Sequence, residues 1–242
     1  DFRDRRVEEA RGIVKRLRPD GLSIDFIRHF VFWEMVGPDR DPATLPNTCY
    51  CVHCLQAFAT FLGVPPLSIP PQPRRAAVWI ETNAADDWVR FKTATITSMA
   101  TEIAEAVRAI DPEILINFHI VPWRRDDYSG AIRSVAGQDV AALSEIADYL
   151  SPMAYSFMLE RPPDWVASVV EDFDRVASCP ILPSIQVSPA YREHEIFAAA
   201  DFLAALRSAL APPSAGVVFW SWGQIEADSE KAAIIKKVVQ GR

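Results

Sequence analysis

Asp25 and Arg28 stand three residues apart at the end of the apolar stretch Leu22-Ser-Ile-Asp25-Phe-Ile-Arg28, just after an Asp20-Gly21 turn. A carboxylate can supply an electron pair or carry a proton, and a guanidinium can hold it in place with two parallel hydrogen bonds. Charges in an apolar segment persist when they are paired, hydrogen-bonded or put to chemical use. Asp25 is therefore the candidate acid or nucleophile. Arg28 is its positioner, or the anchor for a substrate carboxylate or hydroxyl. The competing reading is an Asp25 that caps or salt-bridges inside the fold. Two-carboxylate chemistry needs a partner, and Glu34, Asp126, Asp127 and Glu226 are the candidates that follow other apolar runs.

Other polar groups recur at the ends of apolar runs. His119 shares the odd-numbered face of Ile114–Trp123 with Asn117, and Trp123 falls toward its end. Tyr155 and Gln186 end two further runs as polar contacts. Trp33, Trp123, Trp220 and Trp222 offer flat apolar faces with one donor each, suited to stacking on a ring-shaped ligand. Cys49, Cys51 and Cys54 form a C-x-C-x2-C cluster in a chain with four cysteines. Three thiolates with a further ligand, His53 or His29, would make a structural zinc site. A disulfide within the trio is the alternative in an exported protein. No other cofactor is implied.

The elements that must position these groups follow from periodicity. Residues 3–18 carry Val7, Ala10, Ile13, Val14 and Leu17 at helical spacing, and Pro19 ends them. A strand is expected over 22–28, with Leu22, Ile24 and Phe26 on one face and Ser23, Asp25 and Ile27 on the other. Residues 29–85 break the pattern: they are proline-rich, with one short helix at about 55–62, and read as a long functional loop. A long helix from Asp86 to about Ile110 follows. Strands near 114–123, 149–156, 181–188 and 216–222 then alternate with helices near 139–147, 163–177, 193–210 and 229–239.

Repeated βα units imply a parallel sheet with right-handed crossovers. Two α/β architectures fit, an open doubly wound sheet and a (βα)8 TIM barrel. The absence of a glycine-rich phosphate loop after any strand favours the barrel. Five units would then be visible in a single domain over 1–242, with three more expected before residue 1. Catalytic groups belong at the C-terminal ends of such strands. The net charge of −7 and the lack of a long basic run argue against a nucleic-acid partner. No apolar run reaches the ~18 residues of a membrane span. The sequence leaves both an exported and a cytoplasmic location open.

The run Asp20-Gly-x-x-x-Asp25-x-x-Arg28 resembles the fourth unit of the family 10 glycosylhydrolase-like barrels of uncharacterised activity. Ser151-Pro-Met-Ala-Tyr155 resembles their sixth strand, and Gly216-Val-Val-Phe-Trp220-Ser-Trp222 their eighth. Asp20-Gly21, Asp25, Met153 with Tyr155, and Trp220 also resemble chitinase-type barrels. The cysteine cluster resembles one found in the loops of some β-galactosidase-type barrels. The resemblance implies a glycoside hydrolase acting on a poly- or oligosaccharide, with carboxylate chemistry centred on Asp25. Two departures stand against a direct transfer. Ile27 occupies the place of the chitinase-type acid, and Gln186 stands where the large retaining clan has a seventh-strand nucleophile. A barrel that binds sugar or protein without turnover is the alternative.

Overall fold

The structure, a computed structural model, describes residues 2–240. Helix α1 (Phe2–Leu17) buries Ala10 and Val14 and runs into strand β1 (Gly21–Ile24). Helices α2 (Val52–Leu62) and α3 (Pro73–Asn83) precede the long α4 (Ala85–Arg108). Strand β2 (Leu115–Ile120), short helices α5 (Ala131–Ser134) and α6 (Val140–Ser144), and strand β3 (Tyr149–Pro152) come next. The chain continues through α7 (Trp165–Asp174), β4 (Ser184–Gln186), α8 (Ala199–Ala209), β5 (Val218–Trp220), α9 (Trp222–Ala227) and α10 (Ser229–Gln240). Among the described residues no helix is long and apolar enough to cross a membrane.

Every strand pairing is parallel. β1 pairs with β2 with Ser23 opposite Asn117, and β2 pairs with β3 with His119 opposite Ser151. β4 pairs with β5, and single bridges Leu150↔Ile181 and Met153↔Ser184 carry the order on from β3 to β4. Sequence neighbours are therefore sheet neighbours throughout. The result is an α/β arrangement of five short strands among the described residues, in two parallel sheets, and a complete eight-stranded barrel is not formed by them.

The alternation of faces explains how this sheet serves a site. In β2 the even residues Ile116, Phe118 and Ile120 are fully buried, while Asn117 and His119 face the other way and stay partly open. The even face packs beneath the helices in one large aliphatic core with Val107, Leu143, Val169 and Leu206. The odd face is polar. Gly21 lets β1 enter close to β2, since a Cβ there would lie a tight 3.2 Å from the Leu115 carbonyl oxygen.

Several boundaries depart from the sequence expectations. The first strand stops at Ile24 and does not reach residue 28. Phe26 takes the left-handed conformation (φ 57°), which turns the chain out of the sheet, exposes its ring and sends Ile27 into the core. The segment 29–85 is no single loop with one helix. Prolines punctuate it without preventing structure: Pro73 occupies the first turn of α3, where its missing N–H is not needed. Gly63, in the left-handed conformation, closes α2. Trp222 opens α9 and is not on β5, so it does not share a strand face with Trp220.

The region around α2 and α3 has its own hydrophobic cluster, made of Leu55, Phe58, Ala59, Ile69, Ala76, Ile80, Ala84 and Trp88. Phe58 sits edge-on to Trp88 at 4.8 Å, and Tyr50 stacks on the same indole at 5.2 Å. Lys92 of α4 ties this region to the body. It is fully buried, and its Nζ donates to Asn47 Oδ1 and to the carbonyls of Ser134 and Val135, each at 2.8 Å. Those bonds use the three donors of an ammonium group. Burial pulls its pKa down to about 7.

Candidate active site

A cavity of about 280 Å3 opens at the C-terminal ends of the strands. Its wall includes Asp25, Phe26, Arg28, Trp33, Glu34, His119, Met153, Tyr155, Ser184 and Trp220. Asp25 is the first residue past β1, and the left-handed turn at Phe26 fixes it there: the Phe26 N–H donates to Asp25 Oδ1 at 2.5 Å. The same turn brings the Arg28 N–H to the Phe26 carbonyl at 2.8 Å and lays the guanidinium over the Phe26 ring at 4.5 Å.

Arg28 is the hinge of the electrostatics. Its side chain is only 5% exposed, and its two terminal nitrogens face two carboxylates, Asp25 at 3.4 Å and Glu34 at 3.7 Å. One guanidinium thus holds both acids on one side of the cavity. Their environments differ: the Asp25 side chain is 43% exposed, that of Glu34 17%. Burial raises the Glu34 pKa above its ordinary value, against the lowering pull of its own backbone hydrogen bond and of Arg28, and with a further push from Asp25.

His119 projects from the odd face of β2. Ser151 Oγ donates to Asn117 Oδ1, Asn117 Nδ2 donates to Ser23 Oγ, and Ser23 Oγ meets His119 Nε2, each at 2.9 Å. This polar row spans three strands and engages one ring nitrogen. Burial lowers the His119 pKa, partly offset by the nearby Asp25 charge, so the neutral ring is favoured. Its Nδ1 is left without a protein partner.

That atom is one of three of its kind at this place. Among the described residues seven side-chain atoms are buried without a hydrogen-bond partner, and three of them, Trp33 Nε1, Glu34 Oε2 and His119 Nδ1, belong to residues that line the cavity; the other four, on Arg6, Arg11, Trp88 and Trp165, lie outside it. An unpaired buried polar group costs about 1–3 kcal/mol. Three gathered at one cavity make it the candidate place for a polar ligand. Aromatic rings complete the wall: Trp220, 40% exposed, stacks on Tyr155 at 5.1 Å, and Tyr155 leans on Trp33 at 5.8 Å. The Tyr155 hydroxyl lies 3.3 Å from Ser184 Oγ, and burial raises its pKa strongly.

The cavity therefore gathers Asp25, Arg28, Trp33, Glu34, His119, Tyr155 and Trp220. It does not gather the other sequence candidates. Trp123 is buried and packs edge-on to Tyr128 at 5.4 Å, away from the cavity. Gln186 is buried, with its oxygen accepting from the Met158 N–H and its nitrogen donating to the Ser188 carbonyl. Both ends of the amide are spent on backbone. Trp222 is exposed on α9, outside the lining. Asp127 is engaged by Arg124, and Asp126 and Glu226 are exposed outside the cavity. Sequence reasoning missed Ser23, Asn117 and Ser151 as a connected row, although their odd positions on paired strands carry that signal.

A larger groove of about 530 Å3 runs along the outer edge of β1. Its lining is mainly apolar, with Phe2, Ala10, Ile13, Leu22, Ile24 and Ile96; it shares Asp25, Phe26 and Arg28 with the cavity and carries one unpaired buried atom, Arg6 Nε, against the three of the cavity. The Sγ atoms of Cys49, Cys51 and Cys54 converge elsewhere, within 4.8 Å of one another.

Among solved structures, the chain is similar to the glycoside hydrolase domain of PgaB (BpsB) from Bordetella bronchiseptica. That match has a TM-score of 0.61 at 16% identity, covering 94% of this chain and 59% of that one. It is also similar to bee venom hyaluronidase in complex with a hyaluronic acid tetramer, with a TM-score of 0.52 at 12% identity, covering 95% of this chain and 70% of that one. A monoclinic crystal of the bee venom enzyme gives 0.51 at 12% identity, covering 95% and 73%. The chain thus spans about three fifths of the length of the PgaB domain. At these identities the likeness establishes a glycoside-hydrolase-like fold. No protein-family model and no curated protein matches the sequence.

Proposed function

We propose that the protein hydrolyses a glycosidic bond of a poly- or oligosaccharide in the cavity lined by Asp25, Glu34 and His119. The observation that carries this is the pair of carboxylates held by one guanidinium in unequal surroundings, beside three unpaired buried polar atoms. Glycoside cleavage uses two carboxyl groups about 5 to 9.5 Å apart, one kept protonated by its environment. Glu34, the more buried, gives its proton to the glycosidic oxygen as the bond from that oxygen to the anomeric carbon breaks. Asp25 supplies the electron pair, either to the anomeric carbon directly or by taking a proton from the water that attacks it. Arg28 holds both in register. His119 and Trp33 bond sugar hydroxyls, and Trp220 with Tyr155 stacks on a ring face. The fold neighbours support the carbohydrate class, and the motifs at Asp25, Met153–Tyr155 and Trp220 support a family 10-like or chitinase-like relationship within it.

The protein and its Asp25→Asn and Glu34→Gln variants should be assayed for reducing-end release from aryl glycosides and polysaccharides. The hyaluronic acid seen with the bee venom enzyme makes an acidic polysaccharide one member of the panel. Each variant is expected to lose about 10³-fold in kcat/KM, the scale of a lost catalytic acid or base. The wild-type rate should fall on the alkaline side as Glu34 loses its proton, and this limb should be missing in Glu34→Gln. The buried Ile27, in place of a third carboxylate, favours a second reading, a barrel that binds sugar without cleaving it. Saturable binding with no turnover by any of the three proteins would establish that reading and sink the enzyme.

A further inference from the structure

The geometry points to a metal site outside the cavity: a zinc ion held by the thiolates of Cys49, Cys51 and Cys54, with its fourth position open to solvent. Among the described residues these are the His, Cys, Asp or Glu side chains whose ligand atoms converge as a group of three or more. All three cysteines are free of disulfides. Tetrahedral Zn–S bonds of about 2.3 Å place sulfurs about 3.8 Å apart, so small side-chain rotations close the observed 4.8 Å cluster around an ion. Three thiolates select zinc over magnesium or calcium, which prefer oxygen.

The backbone is already shaped for it. Cys51 is the N-cap residue immediately before α2, and Cys54 lies in the first turn of that helix, where N–H groups have no carbonyl partners and favour negative charge. On either side of Cys49 the chain is fixed from two directions. Thr48 Oγ1 donates to the Phe30 carbonyl at 3.1 Å, and Tyr50 stacks on Trp88. The sequence suggested His53 or His29 as the fourth ligand. Neither joins the converging group, and His29 Nε2 instead donates to the Lys92 carbonyl at 3.3 Å. The open position therefore falls to water. Binding displaces the thiol protons to solvent, so it is coupled to pH and to the order of residues 47–54.

The site is tested on the whole protein, reduced and stripped with chelator, then given Zn2+ or Co2+ alone. About one metal per chain should remain after excess is removed, and Co2+ should show sulfur-to-metal charge transfer with tetrahedral visible bands. Loaded protein should melt at a higher temperature than stripped protein. Cys49→Ser, at an exposed position, should weaken binding by about tenfold or more while circular dichroism stays native. Cys51→Ser and Cys54→Ser should do the same, and Cys179→Ser should bind like the wild type. Substoichiometric metal in the reduced wild type would overturn the site. So would full retention in a folded Cys49→Ser, Cys51→Ser double variant. None of these readouts depends on glycoside turnover.

Discussion

The parallel-sheet body and the region around α2 and α3 are folded by different means. The body is aliphatic and periodic: Ile116, Phe118 and Ile120 on one strand face, closed over by the stripes of α4, α7 and α8. The α2–α3 region is aromatic and aperiodic, built on Phe58, Trp88, Phe91 and Tyr50, with prolines and a glycine setting its turns. A hydrogen-bonded sheet spreads its stability over many residues. A cluster of rings concentrates it in a few side chains. The candidate cavity draws its polar side chains from the body and from the turn at Trp33–Met35 that leads out of it.

The largest expected effect is in the body. Phe118→Ala should destabilise the whole chain by about 4 kcal/mol, measured by urea denaturation, because a fully buried ring leaves a cavity between sheet and helices. Phe58→Ala should cost about 3 kcal/mol by the same mechanism but act locally. Amide exchange should then rise across α2 and α3 while β2 stays protected. Equal loss of protection in both places would show one cooperative unit and break the contrast.

Lys92→Met should also cost roughly 3 kcal/mol, since it strands Asn47 and two buried carbonyls. Its loss should loosen the junction, so that exchange rises on both sides of it.

A smaller effect is expected from His29, whose pKa burial and the adjacent Lys92 lower to about 4. Between about pH 6.5 and 4 the unfolded chain binds this proton and the folded chain does not, so stability falls as pH falls through that window. The loss should be about 2 kcal/mol in the wild type and should shrink in His29→Gln, read as the urea midpoint at pH 7 and pH 4.5. Gly137 belongs to the same contact: its φ is +71°, and a Cβ there would lie 2.6 Å from the His29 ring.

The two regions were also unequally legible in the sequence. Helical and strand periods are carried by the residues themselves, so α1, α4 and the order of βα units could be read directly, with boundaries off by a few residues. The α3 helix could not, because Pro73 reads as a breaker unless its place in the first turn is known. The end of β1 was hidden by Phe26, a bulky residue in a conformation that sequence assigns to glycine or asparagine. Strand-end position alone did not separate Trp220, which faces the cavity, from Trp123 and Gln186, which other parts of the chain cover. Burial of a strand end is decided by the loops above it, and those carry no period. Whether five strands close into a barrel is likewise a matter of edges, which pattern does not encode.

The guanidinium shared by Asp25 and Glu34 has one more consequence. In the proposed step, Glu34 becomes an anion at the moment Asp25 gives up its own charge, to carbon or to a proton. The sum of charge around Arg28 does not change as the bond breaks; only its side does. A planar cation with a nitrogen facing each acid can follow that transfer without moving, and so the surroundings need not rearrange while it happens. The spherical ammonium of Arg28→Lys would have to choose one acid, and the transfer would then run uphill against it.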